Sequence, residues 1–454
     1  MKIKPLNLDC DGKMFSKAQL KAIVIPLIIE QILAVSMGFA DMGMVSSVGE
    51  AAVSGVSLVD SINILLIQLF SALAAGGSIV CAQYLGRGDR PQASRAAKQL
   101  LYVCLLLSAF LCAVCIAFYK PILHTVFGDI EESVMRYCET YFIISAISYP
   151  FLAVYNAGAA LFRSMGNSGI SMKTSVAMNL INIAGNALLI YVFKMEVLGA
   201  AVATLFSRII GAVIMMILTQ NRKNAIYIEK PLHVFFDFSI IKKILMIGIP
   251  SGLENSMFQV GKLIVARLVS AMGTAAIAAN AICGSISAFS NIPGSAVGLA
   301  MITVVGQCMG AGKTEEAEYY SRKLMRLGFL LMMVINVILF VFSPGIISLF
   351  NLSEEAKEFA VAIIRHFSIA ASIIYPFAFP LPNTLRAAGD VRYTMIVSTA
   401  SMWAFRVFCC YLFCSVFSLG LHYVWFSMYI DWLFRAIMFI IRFKKGTWKT
   451  KHVV

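Results

Sequence analysis

Long apolar runs separated by short polar breaks recur along the whole chain. Reading each run of at least about 18 apolar residues as a helical span gives twelve. They lie at 18–45, 52–84, 96–119, 133–158, 169–193, 197–221, 241–271, 276–309, 321–343, 356–383, 392–416 and 420–443. The runs are continuous, so they do not fit the alternating pattern of a lipid-facing barrel. The longest polar break contains NRKNAIYIEKP and falls near the middle of the chain. It predicts an N-terminal lobe over 1–221 (spans 1–6), a linker over 222–240 and a C-terminal lobe over 241–454 (spans 7–12).

The two halves read as copies. AQYLGRGDRPQASRAAKQL (82–100) lines up with GQCMGAGKTEEAEYYSRKL (306–324), pairing Gly88 with Gly312 at a spacing of 224. FRSMGNSGISM (162–172) lines up with LRAAGDVRYTM (385–395), pairing Arg163 with Arg386 and Gly166 with Gly389 at 223. PLIIEQILAVSMGFADMGMVSSVG (26–49) lines up with PSGLENSMFQVGKLIVARLVSAMG (250–273), pairing Glu30 with Glu254 at 224. Six spans per half is an even number, so both halves enter the membrane the same way. That predicts a parallel repeat about an axis along the membrane normal, an arrangement suited to alternating access.

Composition supports a membrane protein: 60% of residues are hydrophobic and 13% charged, against about 25% charged in soluble domains. The net charge of +14 could suggest nucleic acid, but its distribution argues otherwise. Of 37 Lys and Arg residues, 27 lie in the termini and the even-to-odd loops, Lys2, Lys4 and Lys230 among them. Five lie on the opposite side (Lys120, Arg136, Lys194, Lys357, Arg365) and five inside spans. This asymmetry follows the positive-inside rule. It predicts a multi-pass protein of the cytoplasmic membrane with both termini cytoplasmic and no nucleic-acid partner.

Enzyme chemistry finds no footing. The GRGD and GAGK loops do not fit GxxxxGK[ST] and read as helix caps and tight turns. Cys112-Ala-Val-Cys115 sits mid-helix, where two small apolar residues suffice. The five histidines, His124, His233, His366, His422 and His452, scatter near span ends. No catalytic pair, metal cluster or prosthetic group is expected.

Several segments together carry a family likeness: P-x-x-x-E with a later GFAD in span 1, AQYLGRGD after span 2, FRSMGNS before span 5, GIPSGLENSMFQVGK in span 7, GQCMGAGK after span 8 and LRAAGD before span 11. The chain resembles the multidrug and toxic compound extrusion (MATE) family of cation-coupled exporters, in its bacterial type. The resemblance implies an all-α integral membrane protein with twelve transmembrane helices in two pseudo-symmetric six-helix bundles. It implies export of organic, often cationic, drugs or metabolites by alternating access against an inward H⁺ or Na⁺ gradient. It also implies a small-molecule substrate, a lipid bilayer around a monomer, and no cofactor beyond the coupling ion. A flippase for lipid-linked or polysaccharide precursors, of related fold, is the alternative.

The same resemblance places Asp41 in the family's cation site, with Asn182 and Thr204 as its polar partners in spans 5 and 6. One branch has an aspartate four residues after the span-5 asparagine, where this chain has Asn186. Another branch has carboxylates in spans 7 and 10, which align here with Phe258 and a residue near Tyr375. The choice between H⁺ and Na⁺ stays open.

The residues themselves add a division of labour. Glu30 and Asp41 are eleven residues apart, so they share a helix face about 16 Å apart along the axis. A carboxylate facing lipid costs roughly 2.5–3.5 kcal/mol on insertion scales, so that face should look inward. Glu30 has a twin, Glu254, which suits a scaffold or gate common to both halves. Asp41 has Val265 opposite it, which suits a single coupling site. Asn179, Asn182 and Asn186 lie on one face of span 5. They could serve Asp41 and its ion or simply bond helices together. In the C-terminal lobe Glu254, Lys262, Arg267 and Asp431 are candidates. Asp431 and Arg435 form an i,i+4 pair that can neutralise itself. Glu254 precedes Lys262 by two turns, which predicts a charged network that rearranges between states or meets an anionic group of the substrate.

Overall fold

Polar side chains at the breaks set where the helices start. Ser16 accepts a hydrogen bond from the Gln19 amide at 3.1 Å while the Gln19 side chain accepts from the Ser16 amide at 2.8 Å, a reciprocal cap that opens span 1. Asp89 accepts from the Gln92 amide at 3.1 Å and opens span 3. The turns before spans 3 and 9 need a left-handed residue: Gly88 has φ +84° and its repeat partner Gly312 has φ +73°. Gly166 and Gly389 do the same before spans 5 and 11.

The computed structural model describes residues 13–128, 130–229, 233, 235–350, 352–451 and 453–454. Lys2, Lys4, Lys230 and His452 lie outside these residues. The first six spans are Lys17–Val45, Glu50–Gly86, Arg90–Ala117, Glu132–Ser164, Ser168–Val192 and Glu196–Thr219. Span 7 is Phe238–Ser270. Span 8 is split at Asn291 into Thr274–Ser290 and Ile292–Gly310. Span 9 is Thr314–Ser348, span 11 Val391–Val416 and span 12 Leu421–Lys445. Span 10 is a broken pair, Glu354–Ile373 and Tyr375–Ala388, bent by 57°. Ten of these helices are individually long and apolar enough to cross a membrane, and span 10 makes eleven when its two pieces count as one. No strand occurs among the described residues. A short helix, Tyr119–Phe127, was not expected from the pattern. Large apolar side chains such as Phe110, Leu180, Leu330 and Phe342 are exposed, which suits a surface surrounded by lipid.

The chain divides into two compact units, the first ending at Gly252 and the second starting at Leu253. This boundary lies inside span 7, not in the linker over 222–240. The linker is held to span 3, where Gln99 donates to the Phe235 carbonyl at 2.7 Å and the Tyr102 hydroxyl donates to the His233 carbonyl at 2.9 Å. The first half of span 7 then packs on span 2 through two glycines. A Cβ on Gly76 would sit 2.8 Å from the Gly248 nitrogen, so the backbones meet with no side chain between them. The small-residue contact ties that half of the helix to the first unit. The second unit has an aromatic core in which Phe367, Trp425, Trp432 and Tyr375 pack edge to face.

Candidate functional site

In the first unit, polar groups from spans 1, 2, 4, 5 and 6 converge. The Asn186 side-chain amide donates to Asp41 Oδ1 at 2.6 Å, and it lies 3.4 Å from Asn182 Oδ1. Asn182 in turn donates to Thr204 Oγ1 at 3.1 Å. Asn182 and Asn186 are fully buried, and Asp41 is half-buried. Asn186 Oδ1 is buried without a hydrogen-bond partner. An acceptor left bare beside a carboxylate is a costly arrangement, and a proton or a cation between the two would relieve it. Asn186 is also the last α-helical residue before the π-helical turn Ala187–Val192. Such turns shift side-chain direction and are frequent at functional sites. Asn179 is not part of this set, because its amide donates to the Ser175 carbonyl at 2.8 Å.

A second carboxylate sits close by. Asp60 on span 2 accepts from Asn63 at 3.1 Å, is hydrogen-bonded by Tyr141, and lies within electrostatic reach of Asp41. Tyr149 donates to Asn63 Oδ1 at 2.7 Å, which fixes the amide's orientation. Arg208 lies within electrostatic reach of both carboxylates without a direct ion pair to either, and donates to Ser148 at 2.5 Å. Neither Asp60 nor Arg208 was singled out in the sequence. The signal was there: both are charged residues inside predicted spans, the same reason that drew attention to Asp41.

Glu30 is separated from this site in its bonding. Arg163 donates to Glu30 Oε1 at 2.7 Å and Ser171 donates to Oε2 at 2.7 Å. In the second unit, Arg386 donates to Glu254 at 2.6 Å and to Asn383 at 2.8 Å. Both repeat-paired acids are therefore held by repeat-paired arginines. Glu254 thus bonds as a counterpart of Glu30, and the expected network with Lys262 and Arg267 does not form. Helical spacing put Glu254 and Lys262 on one face, but a partner on another helix took the carboxylate. Arg267 is exposed and joins neither group.

The rest of the second unit's charge gathers around Phe258. The Lys262 ammonium, the Arg406 guanidinium and the Arg435 guanidinium lie 5.4, 5.4 and 5.3 Å from its ring centroid. Asp431 pairs with Arg435 at 2.8 Å, as the i,i+4 spacing predicts, and also accepts from Ser401. The histidines are less scattered than the sequence implied: His366 and His422 nitrogens are 3.3 Å apart, and His366 is 3.0 Å from the Tyr429 hydroxyl.

The MatE family profile matches residues 26–188 and 250–412, two segments displaced by the repeat spacing. The chain belongs to the MatE family. Among relatives of this MatE chain, one from Bacillus subtilis (strain 168), "Uncharacterized transporter YisQ", is 26% identical over 432 residues, covering 94% of both chains. Another, from Thermotoga maritima, carries the name "Probable multidrug resistance protein NorM" and is 26% identical over 451 residues, covering 96% of this chain and 94% of its own. The structure of a multidrug resistance MATE family transporter of the MOP superfamily superposes with a TM-score of 0.89 at 20% identity, covering 95% of this chain and 96% of that one. At that identity the likeness concerns the fold: an all-α membrane protein built of two repeats. The MatE chain is thus a multi-pass membrane transporter of the multidrug efflux family.

Proposed function

We propose that this chain is an antiporter that exports organic compounds, with inward H⁺ or Na⁺ as the driving ion and Asp41 as its carrier. The observation that supports this reading is the bare acceptor of Asn186 beside the Asp41 carboxylate, in a buried amide and hydroxyl row. A proton added to Asp41 would find an acceptor there. A hard cation would find several oxygens, the ligand type it prefers. Asp60 is the second carboxylate, close enough to sense the charge state of Asp41. Coupling requires that the ion and the substrate favour opposite-facing states. Ion release from Asp41 then supplies the free-energy difference that returns the carrier.

In this reading the transporter is a monomer in a bacterial cytoplasmic membrane with both termini inside, the orientation favoured by the Lys and Arg asymmetry. The relatives' names point to drug export rather than to the precursor flippase. The test is substrate efflux from liposomes, driven separately by a pH gradient and a Na⁺ gradient, with wild type against Asp41→Asn. Expected is loss of gradient-driven flux in the variant under whichever gradient drives wild type. Equal flux in the two proteins under both gradients would refute the proposal.

A further inference from the structure

In the second unit three cations surround one phenyl group, Phe258. Two of the three, Arg406 and Arg435, are buried; buried cations in a membrane demand partners, and Asp431 is the carboxylate that meets them. Asp431 gives Oδ1 to Arg435 and also serves Ser401, while Arg435 is bonded further to the Ser398 carbonyl at 3.0 Å. Arg435 is therefore satisfied. Arg406 is not: it is 9% exposed, its Nε is buried without a partner, and among the described residues it makes no hydrogen bond and no ion pair. It projects from the π-helical turn Met402–Val407. Lys262 lies close enough to Arg406 to repel it, and among the described residues it too makes no hydrogen bond or ion pair. Lys262 is exposed, so the cluster is open on its side.

The faces of Phe258 soften this charge through cation–π contact, worth about 0.5–2 kcal/mol per pair. They cannot neutralise it. One carboxylate stands against three cations, and Asp431 Oδ2 is itself without a partner. An added anionic group between Lys262 and Arg406 would meet an ammonium and a guanidinium, with an aromatic face beside it. That combination suits an aromatic carboxylate: a planar acid whose oxygens take the guanidinium fork and whose ring lies near Phe258 and Phe379, which pack edge to face at 6.3 Å.

We infer that Lys262 and Arg406 form a binding site for the carboxylate of an aromatic acid or zwitterion, so that the exporter's substrates include carboxylate-bearing compounds. This rests on the export reading for its physiological meaning, but the site itself does not depend on ion coupling. The test therefore measures binding without any gradient. The purified full chain in nonionic detergent is titrated with rhodamine B, a zwitterion, and with its ethyl ester, the same dye without the carboxylate, by fluorescence anisotropy. Expected is about tenfold or tighter binding of the acid over the ester, the scale of one charged hydrogen bond. Arg406→Gln and Lys262→Gln should each abolish most of that preference, and Asp41→Asn should keep it. Should Arg406→Gln fail to fold, the exposed Lys262 position decides. Equal binding of the two dyes, no binding of the acid, or a preference untouched by either substitution would overturn the inference. Loss of gradient-driven flux in Asp41→Asn with the dye preference intact separates this question from coupling.

Discussion

The Arg163 guanidinium donates to the Glu30 carboxylate at 2.7 Å, joining span 1 to span 4. Arg386 and Glu254 repeat the contact at 2.6 Å in the second unit. Removing one partner of a buried pair leaves an uncompensated charge, at a cost of about 3–5 kcal/mol. Glu30→Gln and Glu254→Gln should therefore both lower the thermal stability of the detergent-solubilised protein, measured as Tm. Transport per folded molecule should survive in both. A variant with unchanged Tm and lost coupling would move that glutamate into the transport machinery.

Asp60 offers a different contrast. Its neighbours Asn63 and Tyr141 orient it, but its charge is what reaches Asp41. Asp60→Asn should lower ion-driven flux in liposomes clearly, with folding retained because the amide oxygen can still accept from Asn63 while the Tyr141 hydroxyl can turn to accept from the amide nitrogen. Asn63→Ala, which leaves the carboxylate in place, should lower flux less. If Asp60→Asn transports like wild type, the residue is only a helix-packing group.

The extent to which these sites were legible follows from what periodicity encodes. Apolar runs and the 224-residue spacing located the spans and the repeat. Spacing along one helix foresaw the Asp431–Arg435 pair. Contacts between distant helices were not written in any local pattern: Glu254 finds Arg386 132 residues away, and nothing in span 7 says so. The polar composition that marked the linker over 222–240 did not show that its His233 and Phe235 carbonyls are used by Tyr102 and Gln99. The unpaired state of Arg406 is likewise a fact about neighbours, visible only once every partner is in place.

The first half of span 7 belongs with the first unit because Gly76 and Gly248 touch. Forcing a side chain into a close-packed contact costs typically about 1–3 kcal/mol. Gly248→Val should lower Tm by several degrees, since the nearest atoms include Leu73 at 3.0 Å from an added Cβ. Gly43→Val is the matched control, because nothing lies within 4 Å of a Cβ there. Equal stability of the two variants would mean that the Gly76–Gly248 contact does not hold the helix.

Asn186 and Asn182 should separate by function although both are fully buried. Asn186 touches the carboxylate of Asp41, and Asn182 touches Thr204 and the side of Asn186. Groups that orient an ion-binding ligand typically contribute about 10–100-fold in affinity. Asn186→Ala should therefore raise the ion concentration needed for half-maximal flux by that order. Asn182→Ala should raise it less, because it acts through Asn186 and through the packing of span 5 on span 6. The measurement is flux against H⁺ or Na⁺ concentration at saturating substrate. Unchanged half-saturation in Asn186→Ala, with normal expression and folding, would remove the bare acceptor from the coupling site and with it the main support for Asp41 as the carrier.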